Sequence, residues 1–203
     1  MFTQEPVAQR IISRRVFFLS AASIAGGLYY LMSGRQEPVE AGTPVPAGPP
    51  KMVSIVNFSD SGKKLGVVEV EKVVKTDAEW KKQLGPTAFE ITRHADTESP
   101  FTGKYWNLHD KGIYRCICCD TALFSSDTKF ESGTGWPSFW EPLAKENVTN
   151  SSDSSFGMDR VANACTRCDA HLGHLFDDGP KPTGLRYCMN SGALRFVKLA
   201  TAD

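Results

Sequence analysis

Six cysteines carry most of the chemistry legible in this chain. Four of them form two Cys-x2-Cys pairs, Cys116/Cys119 and Cys165/Cys168. In that spacing both sulfurs of a tight turn point at one ion. Two such turns supply four thiolates in a tetrahedron, the pattern of structural zinc. Two disulfides or a redox pair are the rival readings. Four protein thiolates leave no open coordination position, so a single structural Zn2+ is expected rather than a catalytic one. Cys118 sits beside Cys119, and its side chain is expected to point away from the ion as a small structural thiol. Cys188 stands apart from both clusters, two residues after Arg186. A guanidinium near a thiol favours the thiolate, and the thiolate is the nucleophile. Cys188 is therefore the expected centre of reaction.

Two further stretches offer partners to that sulfur. His171-Leu172-Gly173-His174-Leu175-Phe176-Asp177-Asp178 follows the second cysteine pair. It holds two of the chain's four histidines, close together in what reads as one turn. Four cysteines already satisfy one ion, so the pair points to proton transfer near neutral pH. Gly133-Thr134-Gly135-Trp136-Pro137-Ser138 lies between the cysteine pairs. Its glycines permit a tight turn or a close backbone approach. Trp136 offers a large flat face, as a core tryptophan or as a binding surface.

These residues need a scaffold. A chain of 203 residues suggests one domain with appendages, long enough to bury a core. Formal net charge is zero, and residues 105–200 hold no basic run, so nucleic acid is not an expected partner. Arg14-Arg15 precedes a modest apolar run from Val16 to Met32. Residues 1–34 therefore read as a twin-arginine export signal, or as a membrane anchor if uncleaved. The protein is then expected in the periplasm or facing outward from the membrane. Residues 35–50 carry five prolines and form a linker. Residues 51–75 hold two β-rich runs around Ser59-Asp60-Ser61-Gly62, the pattern of a hairpin.

Thr76-Asp77-Ala78-Glu79 is a capping box opening a short helix with Trp80 and Leu84, which Gly85-Pro86 ends. A second short helix through Phe89 and Ile91 is expected. From Tyr105 the chain breaks into short apolar pieces cut by Gly, Pro, Asp and Ser. Tyr114, Leu123-Phe124, Phe130, Phe139, Leu194 and Phe196-Val197 are placed on strands. The expected fold is mainly β, with antiparallel sheets, short helices at its start and a structural zinc site. Residues 76–200 form its main domain, with no obvious oligomer interface, so a monomer is expected.

Gly-Trp-Pro-Ser-Phe, His-Leu-Gly-His-Leu-Phe-Asp-Asp-Gly-Pro and Arg-Tyr-Cys-Met-Asn-Ser occur in this order around the two cysteine pairs. The chain resembles the type B peptide-methionine sulfoxide reductases from about Val74 to Leu199. The resemblance implies reduction of methionine R-sulfoxide in oxidised proteins or peptides, and hence protein repair. It implies Cys188 as nucleophile, becoming a sulfenic acid that a thioredoxin-like thiol reductant regenerates. His174 or His171 would be the acid, Arg186 would favour the thiolate, and Asn190 would hydrogen-bond in the site. Trp136 and Phe176 would bind the substrate. Many members carry a resolving cysteine where this chain has Thr134. Direct attack by the reductant is then expected, with Cys118 as the alternative resolving thiol.

Overall fold

The computed structural model describes residues 49–154 and 159–199. The expected export signal, and the linker as far as residue 48, lie outside the described residues. Strand β1 (Met52–Phe58) pairs antiparallel with β2 (Lys64–Glu71). Gly62 takes the left-handed conformation that their turn requires, with φ 77°. Helix α1 (Asp77–Gln83) begins with a complete capping box. The Thr76 hydroxyl accepts from the Glu79 N–H, and the Glu79 carboxylate accepts from the Thr76 N–H. Helix α2 (Pro86–His94) has proline in its first turn, where a missing N–H leaves no bond unmade. Trp80, Leu84, Phe89 and Ile91 press these helices onto the core.

The remaining strands form two antiparallel sheets. Strands β3 (Gly112–Cys116) and β4 (Ala122–Ser125) join β11 (Leu194–Lys198) in the order β11-β3-β4. The larger sheet holds β5 (Lys129–Phe130), β6 (Ser138–Phe139), β7 (Val148–Asp153), β8 (Arg160–Cys165), β9 (His171–Phe176) and β10 (Arg186–Met189). Its order is β5-β6-β10-β9-β8-β7, which puts β10 and β9 at the centre. Aromatic side chains seal the two sheets. Phe124 stacks on Phe139 with centroids 4.5 Å apart, and Tyr114 meets Phe139 edge-on at 5.0 Å. The architecture is the mainly β, antiparallel one expected, with few helices. Residues 171–176, read from sequence as a turn, are a central strand instead. Its neighbours β8 and β10 satisfy its backbone on both edges, something no local pattern displays.

One buried amide docks the hairpin. Asn147 is fully buried before β7. Its carboxamide accepts from the Val56 N–H at 2.7 Å and donates to the carbonyls of Val56 and Ala122 at 2.9 and 2.7 Å. It thus completes a β-like pairing for the inner strand of the hairpin.

Candidate active site

The site is built on strand register. Cys188 on β10 lies opposite His174 on β9 and opposite Ser138 on β6. Arg186, two residues back on the same face, lies opposite Phe176. Its guanidinium covers the Phe176 ring at 4.2 Å and makes a two-pronged bond to Asp178, with both N···O distances 2.8 Å. β9 approaches β10 so closely that only glycine fits at position 173. An added Cβ would stand 2.1 Å from the Cys188 carbonyl oxygen.

Residues three apart on a strand normally face opposite sides. His171 and His174 share a side because the β8–β9 pairing shifts register. Asn163 pairs with Gly173 and Ala164 with His171, leaving Leu172 as the extra residue of a bulge. The two rings meet edge-on with centroids 5.2 Å apart. His174 Nε2 bonds the Asp153 carboxylate at 2.8 Å across β8. Asp153 is also paired with Arg160 at 2.9 Å.

Thr97, Trp136, Arg160, Gly173, His174, Phe176, Cys188 and Asn190 line one pocket of about 130 Å³. His171 opens instead onto an adjoining, wider groove beside α2. The glycine-rich loop carries Trp136 into place through left-handed Gly133 and Gly135, and the indole N–H donates to the Glu98 carbonyl at 3.0 Å. The Thr134 hydroxyl lies 3.9 Å from the Cys188 sulfur, and Ser132 joins the hydroxyls of Thr134 and Ser138 at 2.9 and 2.8 Å. Sequence reasoning assigned no part to Ser138, Asp153, Arg160 or Asp178. Asp178 sits within the His171–Pro180 motif, and a basic partner for it was the available signal. Asp153 and Arg160 had none, since they arrive from strands remote in sequence.

The electrostatics divide the roles. Burial pushes the Cys188 thiol above its ordinary value; Arg186, Thr134 and Ser138 pull against that rise without overcoming it. Arg186 thus favours the thiolate, but in the resting site burial prevails. Burial, with His174 second, lowers His171 to about 4, so His171 is neutral at neutral pH. The Cys188 shift gives a direct expectation. Alkylation by iodoacetamide tracks the thiolate fraction, read on the Cys188 peptide by mass spectrometry. Its rate should climb with pH through a midpoint above that of an unperturbed thiol, and Arg186→Met should move the midpoint higher still. A midpoint below that of an unperturbed thiol, or one that the substitution leaves in place, would contradict this balance.

The four paired cysteines gather elsewhere. Cys116 and Cys119 bracket the turn after β3, and Cys165 and Cys168 the turn after β8. Their sulfurs all lie within 4.8 Å of one another, with Cys116–Cys168 at 3.6 Å and Cys119–Cys165 at 3.5 Å. A tetrahedral ion with sulfur bonds near 2.3 Å places sulfurs about 3.8 Å apart. The cluster therefore fits a metal ion, and these four residues would hold it. Cys118 is buried in the same core and does not line the pocket of Cys188.

Fold and site define a class: a thiol-dependent oxidoreductase on antiparallel sheets, with a separate four-cysteine cluster suited to a metal ion. The SelR domain family matches residues 84–198. A peptide methionine sulfoxide reductase MsrB of Herminiimonas arsenicoxydans is 57% identical over 126 residues, covering 62% of this chain and 92% of that protein. The MsrB of Agrobacterium fabrum is 54% identical over 125 residues, covering 62% and 93%. The chloroplastic peptide methionine sulfoxide reductase B1 of Arabidopsis thaliana is 50% identical over 149 residues, covering 72% and 74%. The chain belongs to the SelR family of MsrB proteins.

Proposed function

We propose that this protein reduces methionine R-sulfoxide in oxidised proteins, a repair activity, with Cys188 as nucleophile. The convergence of Cys188, His174, Trp136 and Phe176 on one small pocket carries the reading. The Cys188 sulfur attacks the sulfoxide sulfur as the S–O bond breaks and oxygen passes to the cysteine. Methionine and a Cys188 sulfenic acid result. The departing oxygen needs a proton, and His174 is placed to supply it, its ring oriented by Asp153. His171, neutral and outside the pocket, supports the histidine pair rather than acting as the acid. Trp136 and Phe176 give apolar walls to the S-methyl group. Asn190 and the Arg186–Asp178 pair hold the floor and the charge balance. The test is incubation with peptides of R- or S-sulfoxide and dithiothreitol. Reduction of the R epimer alone is expected. Reduction of neither, from folded protein with a free Cys188, overturns the reading.

One thiol then attacks the sulfenic acid, releasing water and leaving a mixed disulfide, and a second thiol frees Cys188. A thioredoxin-like protein is the reductant this chemistry asks for. Thr134 stands against the sulfur where many relatives carry a resolving cysteine. Stoichiometric oxidation by substrate should therefore leave a sulfenic acid at Cys188, with no Cys118–Cys188 disulfide. Thr134→Cys should instead convert nearly all oxidised protein to a disulfide between the introduced thiol and Cys188, read by mass spectrometry of peptides. A Cys118–Cys188 disulfide in the natural chain would overturn the direct route.

The ion suited to the four thiolates is one Zn2+ per chain, structural because four protein sulfurs complete its coordination. Support for export is the paired arginines before an apolar run, Arg14-Arg15 and Val16 to Met32. Among the described residues no helix is long and apolar enough to cross a membrane. A twin-arginine route would carry the protein out folded and already metal-loaded, as a cleaved or membrane-anchored monomer. Arrival in the envelope of cells lacking that machinery would overturn this.

A further inference from the structure

Glu98 lies in the connection between α2 and β3 and does not line the Cys188 pocket. It nevertheless touches three parts of the site. Its backbone N–H donates to Asn190 Oδ1 at 3.1 Å, and its carbonyl accepts from Trp136 Nε1 at 3.0 Å. Its carboxylate accepts from the Ser191 N–H at 2.6 Å and the Gly192 N–H at 2.9 Å. Those two donors open the 3-10 turn Ser191–Ala193, directly after the strand of Cys188. The first N–H groups of such a turn have no partner within it. An ionised acceptor makes both bonds strong. The carboxylate is also wedged in place. An added Cβ at Gly103 would stand 2.3 Å from Glu98 Oε1 and 2.3 Å from Ser191 Oγ.

We propose that Glu98 is a positioning residue of this site. Its carboxylate anchors the turn that follows Cys188, and its backbone then holds Trp136 and Asn190 at fixed places around the sulfur. The side chain acts through these groups and touches no substrate atom. Glutamine at position 98 would turn an amide N–H toward one of the two backbone donors, breaking one bond and weakening the clamp. The kinetic consequence rests on the sulfoxide reading of the pocket; the structural one does not.

The test uses Glu98→Gln in the full chain, with Gly103→Ala as a second variant that displaces the carboxylate without removing it. Hydrogen exchange of the Trp136 indole N–H, assigned with Trp136→Phe, reports the clamp independently of activity. In Glu98→Gln it should quicken at least about tenfold, with Trp80, Trp106 and Trp140 unchanged. For the R-sulfoxide peptide KM should rise about tenfold while kcat changes less than about threefold, as for lost binding contacts. If Glu98→Gln does not fold, Gly103→Ala decides by the same readings. Unchanged Trp136 exchange overturns the proposal, and so does equal acceleration of all four indoles, which would mean general loosening. If the natural chain reduces neither epimer, the sulfoxide reading falls, and the exchange result still decides the role of Glu98.

Discussion

Cys188→Ser should lower kcat/KM on an R-sulfoxide peptide by at least about four orders of magnitude, or about 5.5 kcal/mol of transition-state stabilisation. The size of the effect follows from the chemistry. The reaction moves oxygen from one sulfur to another, and a sulfenic acid is a stable enough product to await a thiol. A serine in the same place would have to accept oxygen on oxygen, and its hydroxyl is far less ionised than a thiol. The fold should not change. Cys188 is half-buried, the replacement is close in size, and the residue is not among the four clustered cysteines. Equal zinc content and an equal unfolding temperature beside lost turnover would confine the effect to the nucleophile. Turnover within tenfold of the natural chain would remove Cys188 from the centre of the mechanism.

The second large effect concerns stability. Cys168→Ser, or stripping the metal with a thiol-blocking mercurial and a chelator, should take zinc from one per chain to nearly none. Cooperative unfolding should go with it. The paired cysteines sit on the turns after β3 and β8, so an ion held by all four would tie the three-stranded sheet to the six-stranded one. Structural zinc sites bind with roughly 10–16 kcal/mol of apparent free energy, and whole domains are stable by about 5–15 kcal/mol. Losing such a site should therefore exceed the margin that keeps the domain folded. Metal analysis and a thermal melt on the same sample decide it. A metal-free chain with an unchanged melt would show that the cluster is dispensable, and two disulfides in the natural protein would revive the redox alternative.

The cysteines illustrate what local pattern can carry. Two Cys-x2-Cys turns encode their own geometry, because a tight turn directs both sulfurs to one point whatever surrounds it. The capping box of α1 is equally local, made by residues three apart, and it appears in full. The short apolar pieces cut by Gly, Pro, Asp and Ser pointed to the mainly β class, because such residues end short strands wherever they fall. Other features were beyond such reading. His171 and His174 share a face only through the Leu172 bulge, which depends on how β8 pairs with β9. Asp153 reaches His174 across an intervening strand, and Asp178 binds Arg186 across a loop. Glu98, far from Cys188 in sequence, holds the turn beside it.

The sequence by itself determined the chemical vocabulary of this protein: a thiol outside a four-cysteine cluster, a pair of imidazoles, an indole on a glycine-rich loop. Those are properties of residue types and of short spacings, which survive in any fold. Tertiary structure alone decided their relations. It set Cys188 opposite His174, placed His171 outside the pocket, and made burial outweigh the pull of Arg186 on the thiol. Register and desolvation arise from contacts between distant segments, and no short stretch of sequence contains them.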